Sequence, residues 1–158
     1  MVRTVLALLA LSLLAPVFSA DTAAAPFSAE QGCRAAGIPA DLPDCRVSHA
    51  GTATLVSCDE TSCVLSIQAG AEAAGLLPGQ QAVETAIVAD VRTVVCGAVA
   101  VSPFPGDVAC EGDVQVTVAV PGACRLLVVA TTATADRVVS SSAYSELRVC
   151  RDGNVTTP

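Results

Sequence analysis

Alternation of apolar and polar residues with a period of two dominates the chain from Val47 onward. In the segment 114–120 four valines alternate with Gln115, Thr117 and Ala119, and the segments 83–92 and 146–149 show a similar alternation. Because successive side chains of a strand point to opposite faces, each of these segments is predicted to be a half-buried strand. Leu126–Ala130 is instead a continuous apolar run of strand length, which predicts a strand that is buried on both faces.

Turn residues punctuate these segments. Pro78-Gly79, Pro105-Gly106 and Pro121-Gly122 each separate two strand-like runs, and short helical turns are expected only at 31–36 and 71–74. Short, valine-rich strands at this spacing predict an all-β fold, a two-sheet immunoglobulin-like sandwich of about seven to eight strands. The predicted strands are 46–57, 63–68, 82–92, 94–101, 114–120, 124–131, 136–141 and 145–150.

The beginning of the chain has the pattern of a secretory signal. Arg3 precedes the apolar run Val5–Ala15, which is too short to span a bilayer, and Pro16 and small residues follow it. We therefore expect a signal peptide at 1–20 and a mobile leader rich in Ala, Pro and Ser at 21–32. A disulfide-rich domain should occupy 33–152, followed by a frayed C-terminus at 153–158. After removal of the signal, we expect a secreted protein without a membrane span, which is either free or associated with the cell surface.

Eight cysteines carry the strongest chemical signal. In an exported chain an even number of cysteines predicts a full set of disulfides. Cys58 and Cys63 flank the polar segment Asp-Glu-Thr-Ser, which suits a hairpin tip with the two cysteines opposite each other at its base. Pairing of neighbours along the chain then predicts the bridges Cys33–Cys45, Cys96–Cys110 and Cys124–Cys150, although other connectivities stay open.

The stretch 56–67 reads Val-Ser-Cys-x4-Cys-x-Leu-x-Ile, with its cysteines at 58 and 63. It is locally similar to the disulfide hairpin of the enediyne-antibiotic apoproteins, which are small exported immunoglobulin-like sandwiches. The similarity is confined to this hairpin, and the ligand cleft of that family has no counterpart in the sequence. It therefore implies a shared local structure and no shared ligand.

Composition excludes several classes of partner. The chain has no lysine, 15 acidic residues and a net charge of −7, and such an acidic surface repels the phosphates of nucleic acids. Only Phe27, Phe104 and Tyr144 supply aromatic rings after the signal segment. Sites for sugars and for single-stranded nucleic acids usually stack their ligand on aromatic side chains, so neither site is expected.

No catalytic group of residues is visible in the sequence. His49 is the only histidine, and it lies in a strand-like run without a G-x-S-x-G motif elsewhere in the chain. We therefore interpret it as a half-exposed strand histidine and expect neither enzymatic activity nor a cofactor. Asp107, Glu111 and Asp113 are the residues that best fit a metal site, for calcium, but we favour a solvated acidic loop. The sequon at Asn154 matters only where secreted proteins are glycosylated.

One loop stands out as a candidate binding surface. Ser102, Pro103, Phe104, Pro105 and Gly106 lie between Cys96 and Cys110, and the two prolines restrict the loop around one of the few aromatic residues. Phe104 is expected either to anchor a partner or, preferably, to fold back and cap the sandwich. The sequence thus predicts a non-enzymatic extracellular or cell-surface module that is structural or binds an extracellular protein or surface component. The alternatives are a secreted protease inhibitor that presents this loop and a carrier of a small apolar ligand.

Overall fold

The structure is a computed structural model that describes residues 24–35, 41–135 and 138–158. The signal peptide expected at 1–20 lies outside these residues. The described chain forms nine strands: β1 (Ala24–Ala35), β2 (Asp41–Cys58), β3 (Ser62–Leu76), β4 (Gly79–Val88), β5 (Arg92–Ser102), β6 (Gly106–Ala119), β7 (Cys124–Ala135), β8 (Val138–Cys150) and β9 (Val155–Thr156). Within these residues, no helix is long and apolar enough to cross a membrane.

The strands form two antiparallel sheets that confirm the predicted sandwich. One sheet has four strands in the order β1-β2-β3-β6, and the other has five in the order β5-β4-β7-β8-β9. Along β3 up to Ala73, buried side chains alternate with partly or fully exposed ones, as the period-two pattern predicts. The buried side of each sheet faces the other sheet, and the exposed side is its outer face.

The two sheets meet along two sides of the sandwich. On one side, within the described residues, β1 pairs with β8 at Arg34↔Val139 and Ala35↔Val138. On the other side β5 runs beside β6, where an added Cβ at Gly112 would collide with the Val95 carbonyl oxygen. Glycine is therefore required at this point of β6, because the backbone of β5 approaches it too closely for any side chain.

Two apolar clusters fill the interior that the described residues form. The larger cluster surrounds Leu65, Ile67 and Leu127, which are fully buried, and the smaller one contains Val47, Leu76 and two of the disulfides. The side chains of His49, Thr85 and Thr131 are also buried.

Four disulfides join all eight cysteines: Cys33–Cys45, Cys58–Cys63, Cys96–Cys110 and Cys124–Cys150. These are the pairs that neighbour pairing predicts. Cys58 and Cys63 lie directly opposite each other in the β2–β3 ladder, and Cys124 and Cys150 do the same in the β7–β8 ladder. In the other two bridges, Cys33–Cys45 and Cys96–Cys110, both cysteines are buried and belong to the smaller apolar cluster.

Several local predictions were wrong. Residues 24–32, expected in the mobile leader, form most of β1, because Ala25 and Phe27 bury their side chains in the larger cluster. Helical turns were predicted at 31–36 and 71–74. Residues 31–35 are instead part of strand β1, and residues 71–74 are part of strand β3. The expected frayed C-terminus contains β9, whose Val155 is buried against β8. Residues 138–141 and 145–150, which were predicted to belong to two strands, are parts of one strand, β8, and the first two residues of the earlier predicted strand lie outside the described residues.

The turns at the β2–β3 end of the sandwich are tied together by hydrogen bonds. The Val120 N–H donates to the Thr61 carbonyl at 2.8 Å, and the Arg151 guanidinium donates to the carbonyls of Glu60 and Gly122. Backbone N–H groups of Thr61 and Ser62, followed by their hydroxyls, lower the pKa of the Asp59 carboxyl to about 2. This end is therefore closed by contacts between its own turns.

Candidate functional site

The predicted loop Ser102–Gly106 is a tight connection between β5 and β6 at the opposite end of the sandwich. Its first residue, Ser102, pairs with Gly79 of β4, and its last residue, Gly106, pairs with Leu76 of β3. Inside the loop the Phe104 N–H donates to Ser102 Oγ at 3.2 Å. Each end of the loop is therefore held by a different sheet.

The side chain of Phe104 points into solvent, with 71% of its surface exposed. The preferred expectation that Phe104 caps the sandwich was wrong, because the turn directs its ring away from the apolar clusters. Val99 and Val101 precede it on the outer side of β5 and are 65% and 80% exposed. We call Val99, Val101 and the loop Ser102–Gly106 the tip surface.

A disulfide braces the strands that carry the tip surface. Cys96 in β5 is bonded to Cys110 in β6, with 5.7 Å between their Cα atoms and both residues buried. The bridge closes a segment of the chain that contains the whole loop. Because the ends of the segment are fixed covalently and by two ladders, the tip surface is held in place before any partner binds.

A second exposed apolar surface was not predicted. On the outer face of the five-stranded sheet, Val88, Val94, Leu126 and Tyr144 are 40%, 44%, 56% and 63% exposed. Val128 lies between Val88 and Glu146 in the ladder and is partly buried. The run Leu126–Ala130 was expected to be buried on both faces, but its outward residue Leu126 is exposed, because no layer covers this face among the described residues. We call these five apolar residues the apolar face.

The outer face of the four-stranded sheet has the opposite character. Glu30, Glu72, Glu111 and Asp113 are exposed there, around smaller residues such as Ser48, Ala50 and Gly70. The calcium candidates Asp107, Glu111 and Asp113 were expected in a loop. They are instead residues of strand β6. The Asp107 carboxylate accepts a hydrogen bond from the Gly75 N–H at 2.8 Å. Among the described residues, no three side chains of the metal-binding types converge on a common point.

His49 is buried, contrary to the expectation of a half-exposed strand histidine. Only 3% of its surface is accessible, because it shares the inward side of β2 with Val47 and Ala53. Its ring packs edge-on against Phe27 of β1, with 5.8 Å between the ring centroids. Gly51 leaves room for the Phe27 ring beside β2, since a Cβ at position 51 would overlap that ring.

Both nitrogens of His49 are hydrogen-bonded to hydroxyl groups of the other sheet. Nδ1 lies 2.9 Å from Thr131 Oγ1 in β7, and Nε2 lies 2.7 Å from Ser145 Oγ in β8. Thr131 Oγ1 is in turn 2.6 Å from Thr85 Oγ1 in β4. The four side chains thus form a continuous polar chain across the interior, and every buried side-chain nitrogen and oxygen within the described residues has a partner.

No nucleophile beside a base was visible in the sequence. In the structure, however, the Ser145 hydroxyl lies within hydrogen-bond distance of the His49 imidazole, as a nucleophile does beside its base. Ser145 also lines a lateral cleft of about 700 Å³ between β1 and β8, together with Phe27, Gly51 and Tyr144. Burial lowers the pKa of His49, which keeps the imidazole neutral near pH 7. A threonine hydroxyl occupies the place that a carboxylate has in a catalytic triad, and such a hydroxyl does not supply the negative charge that stabilises an imidazolium.

Comparison with protein-family models, curated proteins and solved structures finds no match to this chain. Function must therefore be argued from the surfaces and from the buried polar chain.

Proposed function

We propose that the protein is a secreted, non-enzymatic binding module that contacts an extracellular protein or surface component through its tip surface. The observation that carries this proposal is the exposure of Val99 and Val101 at the end of β5 and of Phe104 in the connection that follows, which is braced at both ends. An aromatic ring and two valines on a rigid support lose little conformational entropy on binding and provide apolar contact area. The proposal includes an immunoglobulin-like architecture, with a strand order of its own in which the consecutive strands β1, β2 and β3 lie side by side in one sheet.

Secretion is supported by the signal pattern at the beginning of the sequence and by four disulfides, which persist in oxidising compartments. The absence of enzymatic activity is part of the proposal. We assign the His49–Ser145–Thr131 chain to the connection of the two sheets, because its hydroxyls satisfy a buried imidazole and no carboxylate supports it as a base.

The experiment is a pull-down from the native extracellular medium with three forms of the protein. Wild type should capture a partner. Val101→Ser should capture much less of this partner, because the substitution removes apolar area from the tip surface. Val91→Ser is the matched control, since Val91 is 74% exposed in the β4–β5 turn and Val101 is 80% exposed. Equal capture by the two serine variants would contradict the proposal.

Inhibition of a protease is a second candidate function, and one observation favours it. Phe104 is exposed on a disulfide-braced loop, which is how a substrate-like residue is presented to a protease. A protease that prefers aromatic residues should then be inhibited by wild type and not by Phe104→Ala. Lack of inhibition across such proteases would leave the binding module as the remaining candidate.

A further inference from the structure

The apolar face has a chemical pattern that fits a second copy of itself. Two neighbouring rows of residues run across the outer side of the five-stranded sheet, from β5 through β4 and β7 to β8. The first row is Val94, Ala86, Ala130 and Tyr144, and the second is Arg92, Val88, Val128 and Glu146. The centre of the second row is therefore apolar, while its two ends carry opposite charges.

We propose that this face is the interface of a two-fold symmetric homodimer. A two-fold axis that is parallel to the strands and lies between the facing sheets exchanges β5 with β8 and β4 with β7. It then places Arg92 of one copy over Glu146 of the other, and Val88 over Val128. In the first row Val94 meets Tyr144, while Ala86 is fully buried within its own copy and adds no contact. Both copies make the same contacts, as a two-fold interface requires.

Within one copy Arg92 and Glu146 are too far apart to form an ion pair. They lie three strand spacings apart, roughly 14 Å at about 4.8 Å per spacing. Arg92 already binds Glu84, but both side chains of that pair are about half exposed, at 51% and 41%. A guanidinium has five N–H donors, so Arg92 can also donate to a carboxylate of the second copy. Glu146 is exposed and has no ion-pair partner among the described residues.

The size of the face predicts weak association. The two rows cross four strands and cover roughly 260 Å² of sheet in each copy, or about 520 Å² in the pair, which is well below the roughly 1,000 Å² of a stable specific interface. The largest exposed apolar patch of a protein is often an interaction site. We therefore expect a dimer that dissociates on dilution. The outer face of the other sheet is acidic, so two copies of it would repel each other.

Sedimentation velocity of the secreted protein tests the proposal, over about 1 µM to about 1 mM, the range of weak specific association. Wild type should shift from monomer to dimer within this range. Glu146→Arg should raise the dissociation constant at least tenfold, because it places two cations together at each end of the row. Glu72→Arg is the matched control, with the same charge change on the acidic face, and should dimerise as wild type does.

The double variant Arg92→Glu with Glu146→Arg reverses both charges and should recover the dissociation constant to within about threefold of wild type. Melting temperatures of all variants exclude loss of folding as the cause of a change. The proposal is overturned if wild type stays monomeric at every concentration or if Glu146→Arg dimerises as well as Glu72→Arg. A double variant as weak as Glu146→Arg would contradict the two-fold arrangement. None of these variants alters the tip surface, so the outcome is independent of the proposed function.

Discussion

His49 Nε2 lies 2.7 Å from Ser145 Oγ, and this hydrogen bond connects a strand of the four-stranded sheet to a strand of the five-stranded sheet. Along the chain the two residues are 96 positions apart. The bond lies where β1 and β8 border a lateral cleft, and the Phe27 ring packs against the same imidazole. With Thr131 of β7 on Nδ1, residues of three strands are thus fixed around one side chain, which makes the polar chain a structural link between the sheets.

Removal of the imidazole should destabilise the fold. His49→Ala deletes a buried ring and leaves the hydroxyls of Thr131 and Ser145 without their partner, so we expect a loss of about 3 kcal/mol in the free energy of unfolding. Ser48→Ala, at the neighbouring outward position, should change it by less than about 0.5 kcal/mol. Urea unfolding measures both values. A His49→Ala protein as stable as wild type would show that the polar chain is not structural.

Burial of His49 also predicts a dependence of stability on pH. The pKa of His49 lies below its ordinary value of 6.5, so between the two values the unfolded chain binds a proton that the folded chain does not. Stability should therefore fall as the pH drops from 6.5 through the lowered pKa, and His49→Gln should lack this component.

The Asp59 carboxyl acts in a separate pH window. Its folded pKa of about 2 is lower than the ordinary value of 3.8, so its contribution is present above 3.8 and lost as the pH falls toward 2. Unfolding free energies of wild type, His49→Gln and Asp59→Asn, measured from about pH 7.5 to about pH 3, separate the two windows. If His49→Gln kept the full loss of stability just below pH 6.5, the assignment to His49 would be incorrect.

Two phenylalanines should respond in opposite ways to truncation. Phe104 is 71% exposed, so Phe104→Ala should change the free energy of unfolding by less than about 0.5 kcal/mol. Phe27 is 4% exposed in the larger cluster, and Phe27→Ala should cost about 3 to 5 kcal/mol. Differential scanning calorimetry compares them directly. Early melting of Phe104→Ala would instead support the cap that the sequence suggested.

Closure of the sandwich beside β6 depends on one glycine. Gly112→Ala would force a methyl group against the Val95 carbonyl oxygen of β5, so it should destabilise the fold by about 1 to 3 kcal/mol. Gly70→Ala is the control on the same sheet, because its added Cβ would lie 3.5 Å from the nearest atom, Cγ of Glu111. Chemical unfolding of both variants should show a clear difference, and equal stabilities would mean that β5 and β6 are not in close contact.

Most of the fold could be predicted from local patterns. The period of two in 83–92 and 114–120 identifies strands, and the turn residues between them give the sandwich, while neighbour pairing gives all four disulfides. Strand β1 was missed because Ala, Ser and Pro are typical of mobile segments, and its burial depends on contacts with β2. A signal was present, since Ala25 and Phe27 alternate with Pro26 and Ser28.

The functional surfaces were less predictable. His49 has the same parity as Val47 and Ala53 in its strand, which indicates an inward side chain, but its partners Thr131 and Ser145 are brought together only by the pairing of distant strands. The apolar face is assembled from β4, β5, β7 and β8, and apolar runs in each of them look like ordinary core. Exposure of Phe104 depends on the direction of a turn, which the two prolines alone do not determine.

Site-specific photo-crosslinking in the native extracellular medium tests the central claim most directly. A benzophenone side chain at position 104 should give a crosslinked product with one partner, and excess wild-type protein should compete for it while Val101→Ser should not. The same group at position 91, exposed at the opposite end of the sandwich, should give no such product. A product from position 91 and none from position 104, or equal competition by Val101→Ser, would contradict a binding module that acts through the tip surface.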